Sequence, residues 1–160
     1  MTVSSPHVVV FGSVNMDLVA RVSRFVRAGE TILGSSFATV PGGKGANQAV
    51  AVARLGVPVR MVGRVGQDAF GPVLLDALAA HGVDIHGVAT VPGASGVAMI
   101  EVDAGGENRI TVIPGAMASW GRPTWSGWAR RWTARRCSFY SLRFRWPPSW
   151  KPPGWRVPVV

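Results

Sequence analysis

The chain has one cysteine, Cys137, among its 160 residues. That excludes a disulfide framework and any zinc site built on several thiolates. No apolar run reaches the roughly 18 residues a membrane-spanning helix needs, so no membrane partner is expected. The three histidines, His7, His81 and His86, have no paired ligand spacing. They read as surface or turn residues, and no metal site is expected. Met1–Pro6 lacks the basic flank and cleavage pattern of a leader, which makes a cytoplasmic location the expectation.

Acidic residues are absent from residues 118–160. Residues 1–117 hold eight basic and eight acidic groups, which cancel. The last 43 residues hold nine Lys and Arg, all seven Trp, the lone Tyr140 and six of the twelve Pro. The whole formal charge of +9 therefore belongs to residues 118–160. A break this sharp predicts two parts, residues 1–117 as the folded part and 118–160 as a tail that is not natively folded. Interleaved Arg and Trp can bind single-stranded nucleic acid through phosphate contacts and base stacking. No periodic stripe organises these residues, and Pro123, Pro147, Pro148, Pro152 and Pro153 break any long helix. Nucleic-acid binding through the tail is thus an alternative and not the expectation.

Residues 1–117 alternate strand and helix patterns. Val8–Phe11 is a short apolar run closed by Gly12, the mark of a buried parallel strand. Ala46, Ala49, Val50 and Ala53 form a helical stripe, and Gly56 follows where a left-handed residue ends a helix. Val59–Val62 predicts a second buried strand. Asp68 then caps a helix marked by Phe70, Val73, Leu74, Ala77 and Leu78 and stopped by Gly82. Gly87–Val91, Gly96–Val102 and Arg109–Ile113 read as strands, with the turn at Asp103–Gly106 joining the last two. Leu18–Val22 and Thr31–Val40 read as strands that leave the main sheet. The class is α/β, and ligands of such sheets bind beyond the carboxyl ends of the strands.

The chemistry-bearing residues fall at those ends. Asn15 and Asp17, two apart in an extended segment, point the same way and can engage neighbouring hydroxyls of a polyol. The same pair can instead cap a turn. Pro41-Gly42-Gly43-Lys44-Gly45-Ala46-Asn47 strips side chains from the entry to a helix, so backbone N–H groups can approach a ligand. Lys44 adds a mobile donor and Asn47 an amide. The stretch is neither a Walker A loop nor a dinucleotide fingerprint, because Gly45 follows Lys44 and Gln48 replaces the third glycine. A flexible connector is the other reading of it. Asp103 is assigned to its turn, and Glu107-Asn108 to the edge of a hairpin.

Several segments in register resemble the PfkB carbohydrate kinase family, and within it the ribokinase-like sugar kinases. They are Gly12-Ser13-Val14-Asn15-Met16-Asp17, the Pro41–Asn47 stretch, and Gly63-x-x-Gly66-x-Asp68-x-Phe70-Gly71. Gly29-Glu30-Thr31, Gly106-Glu107-Asn108 and Pro114-Gly115-Ala116 fit as well. The resemblance runs from about residue 7 to 116. It implies a ribokinase-like α/β sandwich with a small β lid, to which the strands of Leu18–Val40 and Gly87–Ile113 would contribute. It implies transfer of the ATP γ-phosphate to a sugar hydroxyl, with Mg²⁺ and a monovalent cation. Asn15, Asp17, Gly43, Lys44 and Asn47 match the family's sugar-holding positions, with ribose the implied sugar. A homodimer through the lid strands is implied as well.

The same resemblance sets expectations about what is missing. The family's general base, anion-stabilising glycines and nucleotide site belong to a Gly-Ala-Gly-Asp segment, which this sequence lacks. No catalytic, nucleotide-binding or metal-binding residue is therefore expected in it, and neither is kinase activity. A small sugar-binding module without catalysis is the nearest alternative. The likeness stops at Met117, where the composition breaks. Restoring one base near codon 117, with freely chosen GC-rich codons, opens a frame reading an apolar strand, Gln-x-Glu-x-Pro-Leu and an amphipathic helix. That frame again resembles the family, so the tail is expected to be an out-of-frame product of a truncated gene. With the following strands missing, the sheet would end on an unpaired edge and part of its core would face solvent.

Overall fold

The computed structural model describes residues 8–119 and the two-residue strand Ser138–Phe139. The rest of the tail, and His7, lie outside the described residues. In chain order the elements are β1 (Val8–Phe11), β2 (Asn15–Val22), β3 (Gly34–Gly42), α1 (Lys44–Arg54), β4 (Val59–Gly66), α2 (Phe70–Ala80), β5 (Asp84–Val91), β6 (Gly96–Val102) and β7 (Asn108–Ile113). A 3₁₀ turn spans Gly115–Ser119, and Ser138–Phe139 is β8. Two four-stranded sheets result, a main sheet ordered β5-β4-β1-β8 and a lid ordered β3-β2-β6-β7.

The main sheet is parallel throughout. Its short apolar strands alternate, so Val10, Val59, Met61 and Val65 share one face. Ala46 and Ala49 of α1 and Leu74 and Leu78 of α2 cover that face, and together they form the core. Small residues on α1 let the helix approach closely. At its first turn, a Cβ on Gly45 would lie 2.7 Å from the backbone of Gly12. There the Ala46 N–H donates to the Ser13 carbonyl at 3.0 Å. Both helices end as the sequence predicts, with Gly56 and Gly82 at φ +74° and +78°.

The lid is a mixed sheet. β2 pairs antiparallel with β3 and parallel with β6, and β6 pairs antiparallel with β7. The β6–β7 turn is closed by Asp103, whose Oδ1 accepts the N–H groups of Gly105 and Glu107. At the far end the Arg24 guanidinium pairs with Glu30, and Arg109 stacks over the Phe25 ring at 4.2 Å. Glu30 also accepts the Arg27 N–H, and these contacts, the Arg24 bond first, lower its pKa to about 2.

Four expectations need correction. The strand Gly87–Val91 belongs to the main sheet and not to the lid. It forms part of β5, which pairs parallel with β4 after the α2 crossover. β4 continues to Gly66, past the expected end at Val62, because Gly63 and Arg64 interrupt its apolar run without interrupting its pairing. The edge beside β1 is partly covered, since Val8 and Val9 pair with Ser138 and Phe139. Finally, Val9 and Val62 on the second face of the main sheet are buried. Exposed apolar side chains gather in the lid instead, including Phe37, Val40, Met99, Ile110 and Val112.

Candidate functional site

The chain enters and leaves the lid where β1 and β4 end. Three residues separate β1 from β2, and only Gly43 separates β3 from α1. β6 follows the turn after β5, and β7 leads into the Gly115–Ser119 turn. The backbone of that last segment is tied back, with the Ala116 N–H donating to the Ala94 carbonyl at 2.8 Å.

Asn15 and Asp17 open β2, on one face of the lid. Asn15 aligns with Gly42 of β3 and Gly96 of β6. A Cβ on Gly42 would strike the Asp17 carboxylate, and one on Gly96 would strike Asn15 Oδ1. Glycine at these two positions leaves the volume that the polar side chains fill. Asn15 is buried and Asp17 half-buried. Burial pushes the Asp17 pKa above its usual 3.8, while the Lys44 ammonium opposes the rise.

The second part of the site is the entry to α1. Gly43 takes φ +101°, a conformation that L side chains rarely adopt. A Cβ there would also lie 2.6 Å from the Ser13 carbonyl oxygen and 2.9 Å from the Asn15 nitrogen. No side chain caps α1, and the Ala46 N–H in its first turn donates to the Ser13 carbonyl instead. Lys44 is exposed, and Asn47 lies three residues on, on the same side of the helix. The fold thus gathers Asn15, Asp17, Gly43 and Lys44 at one mouth, with Asn47 on the adjoining turn. A carboxylate, two carboxamides and an ammonium beside closely packed glycines can both accept from and donate to vicinal hydroxyls.

Two neighbouring groups were not legible as site residues. Ser95 is only 1% exposed, and the sequence alone gives it no role. Asp68, read as a helix cap, does accept the Gly71 N–H at 3.0 Å. It also accepts the Ser95 N–H and hydroxyl, each at 2.7 Å. Burial raises the Asp68 pKa, but the bonds from Ser95, Gly71 and Phe70 together hold it below the usual value. His86 lies on β5 and not in a turn, with Nδ1 2.8 Å from Asp84. Among the described residues, no three His, Cys, Asp or Glu gather as a metal site, and no helix is long and apolar enough to cross a membrane.

A parallel α/β layer joined at its strand ends to a four-stranded lid defines a lidded α/β fold. The chain belongs to the pfkB family of carbohydrate kinases, whose profile matches residues 5–126. That match runs past the composition break at residue 117. The chain is 52% identical over 108 residues to a ribokinase of Lactococcus lactis, an alignment covering 67% of this chain and 36% of that one. A ribokinase structure from Cryptococcus neoformans in complex with ADP superposes with a TM-score of 0.68 at 38% identity, covering 74% of this chain and 38% of the other. An Arabidopsis thaliana ribokinase structure with ribose and ATP gives 0.63 at 38% identity, covering 70% and 37%. The chain therefore spans little more than a third of these relatives.

Proposed function

We propose that this chain is the sugar-binding portion of a ribokinase-like kinase, and that its sugar is ribose. The observation that carries the reading is Asp17. Its half-buried carboxylate lies beside Asn15 at the lid hinge, within the field of Lys44. In that geometry Asp17 accepts from sugar hydroxyls, while Asn15, Lys44 and Asn47 donate to them. Gly43 lets the backbone close on the sugar without a side chain between. The similarity to ribokinases, one of them solved with ribose and ATP, supports the assignment.

The finer reading divides the chain at residue 117. Residues 1–117 supply lid, hinge and sugar contacts, and residues 118–160 are a non-native, out-of-frame tail. Phosphoryl transfer rests on positioning and on stabilising developing charge. The base, the anion-binding glycines and the nucleotide site of a whole family member are assigned to a Gly-Ala-Gly-Asp segment this sequence does not hold. ATP, Mg²⁺ and a monovalent cation accordingly belong to the whole enzyme, which we place in the cytoplasm. Exposed Val40, Ile110 and Val112 on the Asp17 face of the lid fit a homodimer through the lid strands. A coupled assay for ADP tests the division. The 160-residue chain with Mg-ATP should show no ribose-dependent turnover, and turnover would overturn the reading.

A further inference from the structure

Outside the residues proposed to hold the sugar, the part-buried Asp68 carboxylate ties distant segments together. Oδ2 accepts the Ser95 N–H at 2.7 Å. Oδ1 accepts the Ser95 hydroxyl at 2.7 Å and the Gly71 N–H at 3.0 Å. The Ser95 hydroxyl oxygen in turn accepts the Gly66 N–H at 3.0 Å. One carboxylate thus joins the last residue of β4, the first turn of α2 and the residue that precedes β6. A helix cap needs only the Gly71 bond. The two bonds to Ser95, 27 residues away, do nothing for α2.

Their effect falls on the lid. Ser95 is followed by Gly96, the first residue of β6, which aligns with Asn15 and leaves no room for a Cβ beside Asn15 Oδ1. A Cβ on Gly66 would collide with the backbone of Gly93–Ser95, and one on Gly115 with the Ala94 and Ser95 carbonyls. The end of β4 and the segment after β7 therefore both press on Ala94 and Ser95, which lead into β6. Fixing Ser95 fixes where β6 departs, and β6 carries β2 with it through seven paired positions.

We propose that Asp68 and Ser95 lock the root of the lid, and that Asp68 is a positioning residue which sets Asn15 and Asp17 against the α1 entry. The second half rests on the sugar reading above; the lock itself does not. Asp68 touches no substrate in this account and acts only through Ser95 and β6.

Native-state hydrogen exchange on the 160-residue chain tests it, with Asp68→Asn and Ser95→Ala compared to the parent. Asp68→Asn puts an amide donor against the Ser95 donors. Ser95→Ala removes only the hydroxyl, so it reports even if the first variant folds poorly. Amides of residues 15–17 and 95–98 should lose about tenfold more protection than those of 59–62 and 74–78, the scale of one lost charge-assisted bond. Equal loss everywhere, or no loss, would overturn the lock. Ribose titration of the same samples separates the two readings. If the parent responds to ribose, both variants should bind it about tenfold more weakly, and unchanged affinity would overturn the positioning role. If the parent does not respond, the sugar assignment fails while the exchange pattern still decides the lock.

Discussion

In its proposed role Asp17 accepts sugar hydroxyls as a carboxylate, and burial works against ionisation. Its native pKa lies above the usual 3.8, so the carboxylate gains its proton earlier on acidification than an exposed aspartate would. Ribose affinity should therefore begin to fall above the ordinary aspartate range as pH drops. Removing the opposing ammonium by Lys44→Ala should move the midpoint of that loss to higher pH, as titrations at stepped pH would show. Asp17→Asn should weaken ribose by about tenfold or more at neutral pH, the cost of one charge-assisted hydrogen bond. Asp68 has the opposite sign. Its native pKa is below its unfolded value, so its contribution to stability is complete above the unfolded carboxylate range and is lost as pH falls through the lowered native value. Asn15, Asp17 and Lys44 were legible through the family resemblance, since residue type and spacing alone also allow a turn cap and a flexible connector. Ser95 was not, because a lone serine gives no sign that its partner lies 27 residues earlier.

At the scale of elements, the core depends on two helices laid over alternating strand residues. Leu74 of α2 is 1% exposed within that core. Leu74→Ala should cost about 2–5 kcal/mol of stability, read from urea unfolding, with sugar contacts otherwise intact. Gly45→Ala should act differently. Its methyl would press on the Gly12 backbone, so α1 must move off the β1–β2 connection, and the sugar site with it. Its ribose affinity should fall further than its stability, which paired titration and unfolding curves would compare. Helices and hairpin were legible from apolar stripes, terminal glycines and the Asp103 turn. The sheet to which each strand belongs was less so. β5 is as short and apolar as a lid strand, and only the βαβ connection through α2 places it beside β4. β2 begins at Asn15, earlier than its apolar run, because the ladders to β3 and β6 include the polar pair.

At the scale of the whole molecule, family membership and the composition break describe different parts of the chain. The family match covers residues 5–126, whereas the entire formal charge of +9 lies beyond residue 117. If the tail is foreign to the domain, as proposed, removing residues 118–160 should leave the sugar response in place and lessen aggregation, since the tail carries all seven Trp. β8 sets a limit on that expectation, because its loss uncovers Val8 and Val9 on the edge of the main sheet. The central claim is that residues 1–117 hold a sugar between the root of β2 and the entry to α1. A ribose titration of the isotopically labelled 160-residue chain, followed by amide chemical shifts, tests it most directly. The account predicts weak, saturable shifts, on the order of millimolar affinity, centred on Asn15, Asp17, Gly43, Lys44 and Asn47, with affinity weakened by about tenfold or more in Asp17→Asn. A folded chain whose amides do not respond to ribose, or respond only elsewhere, would contradict it.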